Sequence, residues 1–413
     1  MKKGVALVAW VLAAVYYFYQ YALRSAPSVM MPQLSEAFGI GAAVLTSVLG
    51  LFYYGYAVFS VVAGATIDRI GARMVIPAGA LMTALGALLF GTGNLAAASS
   101  GRFLQGSGGV FALVGAVYIA SKHFPPSHVA TLIGATQMFG MAGGAAGQFA
   151  VGPLIAEGVS WKTFWIVMGL AGLVMATMLA LVLPKEDVQT SDGDWLKGSL
   201  TALSFVFRNP QSILCGLIAA LIFIPTTIFD MVWGVRFMQE AHGFPYEEAV
   251  IRSATVPLGW IIGCPLLGLL SDRLGRRKPV IIGGACVLLA ALVWILYGPA
   301  GVFPSYVLGL IAGGSSGAAM LLYTVIKEAN PPQYGGTATG VINLLNFAFS
   351  ALVGPVFGWV MQNISVAEAP DLKHYQTTFS PILWGVAAAA GLTFWLKETG
   401  PAVRVPAEMA ETV

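Results

Sequence analysis

Apolar stretches of about 20 residues or more recur along the chain between short polar breaks, each long enough to carry a helix across a hydrocarbon layer about 30 Å thick. The pattern predicts twelve membrane-spanning helices, near 5–32, 43–66, 74–94, 97–121, 128–155 and 162–183, then 211–238, 246–270, 279–298, 302–326, 335–362 and 377–396. Composition agrees with a chain solvated by lipid. Of the residues 57% are hydrophobic and 9% charged, and a mean hydropathy of +0.80 leaves too few polar groups to coat a globule in water. Lys2 and Lys3 ahead of an apolar run look like the start of a signal peptide. The run continues past Tyr16 and Tyr17 toward residue 30 without a small-residue cleavage site, so it is read as the first span.

An even number of spans puts both termini on one side, and fifteen of the 21 Lys and Arg residues fall there, from Lys2 and Lys3 through the loops at 69–73 and 273–278 to Arg404. By the positive-inside rule that side is cytoplasmic, as in a bacterial inner membrane. These basic clusters are topology signals, and no solvated basic face with interleaved aromatics exists to bind nucleic acid. Cys215, Cys264 and Cys286 sit in apolar spans without ligand-pair spacing and read as small buried hydrophobes. No metal site and no cofactor is expected.

The segment from Pro184 to Pro210 is the one long cytoplasmic connection. Lys185, Glu186, Asp187, Asp192, Asp194 and Lys197 crowd into it, and the Trp195–Phe207 stretch reads as an amphipathic interfacial helix. An internal repeat then sets the architecture. GATIDRIGAR at 64–73 and GLLSDRLGRR at 268–277 agree at five of ten positions, 204 residues apart. Lys122, Pro125, Pro126, Thr131 and Gly134 are echoed by Lys327, Pro331, Pro332, Thr337 and Gly340, at offsets of 205 or 206. The expectation is two pseudo-symmetric six-helix bundles, 1–184 and 210–413, joined by a linker at 185–209.

A Gly-x-x-x-Asp-Arg-x-Gly-x-Arg loop between spans 2 and 3, repeated between spans 8 and 9, resembles the major facilitator superfamily over the whole chain. Weaker matches are Arg102, Gln105, Gly106 and Gly109 in span 4, and the glycine run Gly140, Gly143, Gly144, Gly147, Gly152 with Pro153 in span 5. The resemblance implies an alternating-access transporter that works as a monomer. It also implies a gating role for Asp68, Arg69, Arg73, Arg102, Asp272, Arg273 and Arg277, which otherwise read as topology signals. The glycines make a flat strip for close helix approach, which the resemblance places between the halves.

Charges inside a span are costly and therefore mark candidate sites. Arg24 lies within span 1, where Tyr17, Tyr21 and Ser28 share its helical face and Gln20 lies beside it. A guanidinium lining a cavity binds a carboxylate or phosphate in bidentate fashion; the other reading is an arginine reaching to the outer interface. The stretch from Tyr16 to Leu34 also resembles the family's organic-anion branch. That branch carries a second arginine in span 7, where this chain has Pro225, Thr226 and Thr227, so phosphate-ester exchange is not expected.

Asp230 is the one acidic residue deep within a span, on a face with Thr226, Trp233 and Phe237. Burial favours its protonated form, which a proton-coupled symporter needs; binding a substrate ammonium, or a structural pair with a neighbouring arginine such as Arg236, are the other two readings. Gln137, Asn343 and Asn346, with Gln105, can orient a polar ligand or bond between helices. Lys327 and Glu328 stand at the cytoplasmic end of span 10. The scattered His123, His128, His242 and His374 form no catalytic constellation, and no phosphate-cradling loop appears, so neither an enzyme nor an ATP-driven pump is expected. The leading function is secondary transport of a small anionic or zwitterionic metabolite, coupled to protons. Drug efflux and a non-transporting sensor are the alternatives.

Overall fold

The structure, a computed structural model, describes residues 3–40, 42–183, 195–299, 305–364 and 371–403. Among the described residues, twelve helices are long and apolar enough to cross a membrane: α1 Gly4–Ser25, α2 Val48–Ile70, α3 Ala72–Gly91, α4 Leu95–His123, α5 Pro126–Gly147, α6 Trp161–Val182, α7 Pro210–Gly234, α8 Ile251–Leu274, α9 Lys278–Tyr297, α10 Ser305–Glu328, α11 Pro332–Met361 and α12 Leu372–Trp395. All twelve match the spans expected from the hydropathy pattern. The side chains of Leu181, Leu352 and Trp384 are 78%, 74% and 76% exposed, a cost in water that lipid removes.

Helix starts follow local chemistry. The Asn94 side chain accepts from Ala97 N–H at 3.0 Å, and Asn209 caps α7 just ahead of Pro210, whose missing N–H suits a first turn. Asp371 caps α12 through His374 N–H at 3.0 Å; the bonds it accepts from the His374 backbone and ring hold its carboxyl below the usual carboxylate range.

Three elements depart from the expected pattern. Span 1 stops as an α-helix at Ser25, before Pro27, and continues as a 3-10 turn over Ala26–Met30 and a short helix over Met31–Phe38. The backbone of Ser28 therefore belongs to that 3-10 turn and not to α1. In α7, Pro225 has no N–H to bond the preceding turn, and the helix widens to a π-helix from Pro225 to Gly234, which shifts the face predicted for Thr226, Asp230 and Trp233. In α10 the bonding turns to i→i−3 at Gly317 and Ala318, where a Cβ on Gly317 would press on the Cys264 backbone. Cys215 and Cys264 are buried as read from the sequence, but Cys286 is exposed on the outside of α9. Lys185, Glu186, Asp187, Asp192, Asp194 and Arg404 lie outside the described residues, while the interfacial helix runs Trp195–Arg208.

The repeat is visible in packing. A Cβ on Gly106 would run into the Phe52 carbonyl and one on Gly55 into the Phe103 carbonyl, so α2 and α4 touch backbone to backbone. Gly313 and Gly259 meet the carbonyls of Val256 and Leu310 in the same way between α8 and α10. The described chain packs as two compact units that do not follow the sequence halves: one holds 1–124, 139–208 and 330–344, the other 125–138, 209–329 and 345–413. Each unit thus incorporates one short segment from the opposite half.

Candidate functional site

In the first unit Arg24 sits in an aromatic bowl at the end of α1. Its Nε donates to the Tyr53 hydroxyl at 3.2 Å, and its guanidinium carbon lies 4.9, 4.7 and 5.9 Å from the ring centres of Tyr21, Tyr53 and Phe52. Tyr17 is buried below and meets Tyr21 edge-on at 4.9 Å, its hydroxyl 3.4 Å from that of Tyr21. Arg102 of α4 approaches the other part of the bowl, 5.0 Å from the Phe52 ring centre. It is buried, and its guanidinium donates only to neutral oxygens among the described residues: Leu23 O at 3.1 Å, Gln105 Oε1 at 2.7 Å and Leu49 O at 3.5 Å. Gln105 passes the bond on to Gly86 O at 3.0 Å. Two guanidiniums therefore share one phenyl ring, and Arg102, for which the motif implied a gating role, stands beside Arg24.

Gln20 adds to this region. It is fully buried, and neither amide atom has a bonding partner among the described residues, a costly arrangement for an amide. Gly109 of α4 faces it, for a Cβ there would stand 3.0 Å from Gln20 Oε1. The glycine strip of α5 proves to be the bed of α1: a Cβ on Gly140 would strike the Tyr17 ring, one on Gly143 the Phe18 carbonyl, and one on Gly147 Ser25 and Ala22. This corrects the placement of the strip between the halves.

In the second unit Asp230 is buried in the π-turn of α7 and accepts from Ser253 Oγ of α8 at 3.0 Å. Gly234 permits that approach, since a Cβ there would stand 3.0 Å from Asp230 Oδ1 and 2.7 Å from Ser253 Oγ. Both residues border a cavity of about 30 Å³, with Thr226, Arg252, Ser305 and Ser316 also on its wall. Thr226 is engaged, accepting from Trp260 Nε1 at 2.8 Å. Trp233 turns to Phe379, ring centres 6.0 Å apart, and carries Arg236 at 5.1 Å. Arg236 pairs with Glu240 at 2.9 Å and not with Asp230. Sequence reasoning missed Arg252, which donates to Ser305 and lies between the rings of Phe244 and Tyr306, 3.8 and 4.6 Å from their centres. Its signal was an arginine inside the span expected over 246–270, four residues after Glu248. Gln137 and Asn346 are buried in this unit, whereas Asn343 is buried in the unit of Arg24.

The repeated loops form two clasps. Asp68 accepts from Gly336 N–H at 2.7 Å and from the Thr337 N–H and hydroxyl at 2.7 and 2.8 Å, at the start of α11. Asp272 accepts from the Thr131 N–H and hydroxyl at 2.9 and 2.8 Å near the start of α5, and from Arg277 Nη1 at 2.6 Å. Arg277, fully buried, also pairs with Glu328 at 3.0 Å. Arg69 lies against Gly198 of the linker helix. Arg73 and Arg273 show no ion pair among the described residues. Thr131 and Thr337 were visible in the sequence only as a repeat echo.

These elements are those of a known class of membrane protein. The Major Facilitator Superfamily model matches residues 13–355, and the chain belongs to that superfamily, whose family and fold are those of membrane transporters. It is similar to the hexuronate transporter of Bacillus subtilis, 25% identical over 66% of each chain, and to the membrane sensor protein UhpC of Salmonella typhimurium, 24% identical over 95% of this chain and 90% of the relative. Among solved structures it resembles the transporter FucP in its outward conformation, with a TM-score of 0.74 at 16% identity over 94% of this chain and 99% of that one, a likeness of fold.

Proposed function

We propose that this protein is a secondary active transporter that carries a small organic anion by alternating access, coupled to protons. The observation that carries the reading is the pair of guanidiniums, Arg24 and Arg102, around Phe52 with the Tyr53 hydroxyl between aromatic walls. A site built this way favours a carboxylate or a related anion through charge-assisted, bidentate bonds, and the unsatisfied Gln20 amide offers a donor and an acceptor to the substrate's polar groups. A lipophilic cation would meet repulsion at the same place. The hexuronate carried by one relative has the same chemistry.

Asp230 is the proton carrier in this reading. A cavity of about 30 Å³ beside it has the size for a water molecule and not for a substrate amine, so protons suit it better than an ammonium. The halves 1–184 and 210–413 move against each other through the linker, and the Asp68 and Asp272 clasps hold one of the alternating states. Positive charge on the loops of both clasps supports a cytoplasmic side for them and for both termini, in an inner membrane.

The test is a thermal-unfolding screen of the purified protein against hexuronates and other carboxylates, amino acids, phosphate esters and lipophilic cations, paired with uptake into proteoliposomes under a pH gradient. A ligand at about 100 times its Kd stabilises by about 2.7 kcal/mol. Carboxylates are expected to stabilise the wild type, and Arg24→Ala to weaken them at least tenfold. Stabilisation by lipophilic cations that survives Arg24→Ala would turn the reading to drug efflux, and carboxylate binding without any uptake would turn it to a sensor.

A further inference from the structure

We infer that the outer face of α8, α9 and α10 is a binding site for an anionic phospholipid, which lays an acyl chain in a glycine-floored groove and sets its headgroup against Arg273 and Arg276. The groove has a volume of about 630 Å³ and an almost wholly apolar wall. Ile262, Leu266 and Leu270 of α8 form one side and Val287 of α9 the other, all exposed, with Gly314 of α10 at the base. Glycines make it deep. Gly259 and Gly263 bring α8 onto the α10 backbone, and at Gly283 of α9 a Cβ would meet nothing within 4 Å, so that wall opens on free space. The groove runs to Leu274 and Pro279, beside the charged loop between α8 and α9.

That end carries the charge. Arg273 and Arg276 are exposed, and neither guanidinium has a bonding partner among the described residues. Among the described residues the acids nearby are committed elsewhere: Asp272 to Arg277 and Thr131, Glu328 to Arg277, and Glu398 to the backbone N–H of Arg277 at 2.6 Å. The headgroup level is therefore positive where the apolar groove begins, the complement of an anionic lipid and not of a zwitterionic one. The first half handles its own loop differently. There the linker helix lies over the loop, with the Arg69 guanidinium against Gly198. In the second half residues 398–402 bond Gly275, Glu328 and the Arg277 and Lys278 amides and pass the Arg276 backbone, and among the described residues the Arg273 and Arg276 side chains stay exposed.

The experiment titrates the purified wild type in detergent with dioleoylphosphatidylglycerol or dioleoylphosphatidylcholine, counts bound lipid by native mass spectrometry, and follows thermal unfolding. Phosphatidylglycerol is expected to bind at least tenfold more tightly than phosphatidylcholine. Arg273→Gln with Arg276→Gln is expected to abolish that preference. Gly283→Phe, which fills the groove from a wall with open space, is expected to lower the affinity for both lipids at least tenfold while the lipid-free unfolding temperature stays within about a degree. Equal binding of the two lipids to the wild type, a preference that survives loss of both arginines, or undiminished binding in Gly283→Phe would each overturn the inference. So would inorganic phosphate reproducing the phosphatidylglycerol shift, or a dimer that Gly283→Phe converts to monomer.

Discussion

The two loop clasps share a sequence pattern and differ in what lies behind it. Asp68 spends both carboxylate oxygens on the start of α11, while Arg73, at the end of the same motif, is half-buried and outside any ion pair among the described residues. Asp272 spends one oxygen on Thr131 and the other on Arg277, the counterpart of Arg73, which is fully buried and held from its far side by Glu328. The repeat that aligns Lys122 with Lys327 aligns His123 with Glu328. A single carboxylate, outside the motif and about fifty residues downstream of it, thus goes with an arginine drawn into the interior. Burying a guanidinium is tolerable when two acids and a hydroxyl receive it, and Ser271 supplies that hydroxyl at 3.1 Å. A motif names the charges; the third residue decides how they pack.

The largest effect belongs to the second clasp. Arg277→Ala leaves Asp272 and Glu328 buried without their shared cation, and a loss of about 3–5 kcal/mol is expected in thermal or denaturant unfolding. An unchanged midpoint would mean that the pair is not buried in the membrane-embedded protein. Next comes Asp68→Ala. It strips the Gly336 and Thr337 amides of their acceptor, for a cost of about 2–3 kcal/mol, and hydrogen exchange at those two amides is expected to rise while that at Thr131 stays as in the wild type. The smallest change is the most pointed: His123→Glu gives the first half the acid that it lacks. If Arg73 can take it as a partner, stability rises by less than about 1 kcal/mol, the range of an accessible ion pair, and the gain disappears in Arg73→Gln His123→Glu. No gain in the single variant would show that backbone position, and not the missing acid, keeps Arg73 out.

Much of the fold was legible because span length is imposed by the bilayer and needs no knowledge of neighbours. Twelve spans, the two-fold repeat and the in-span charges of Arg24 and Asp230 all followed from one-dimensional patterns. The site was legible in part. Arg24, Tyr17, Tyr21 and Gln20 are close in sequence and share one helix, so helical spacing brought them together. Tyr53 and Phe52 of α2 were not found, since two more aromatics in an aromatic-rich span carry no signal of what they face. Arg102 was assigned to a gate because a motif suggested it, whereas its bonds to Leu23 O and Gln105 bind it to the Arg24 bowl. The face proposed for α7 failed at Pro225, where a missing N–H widened the helix and turned Trp233 toward Phe379.

What the sequence by itself determined is the solvent of this protein, the number of its helices, their repetition and the rare polar groups among them, all consequences of local hydrophobicity and spacing. Only the tertiary structure decided which of those groups meet. Asp272 finds Thr131 across 141 residues and Asp68 finds Thr337 across 269, each in a segment that the opposite half lends to the unit. The physical reason is that burial of an apolar helix is a property of its own residues, while the partner of a buried charge is whatever the packing of backbone against glycine brings within 3 Å.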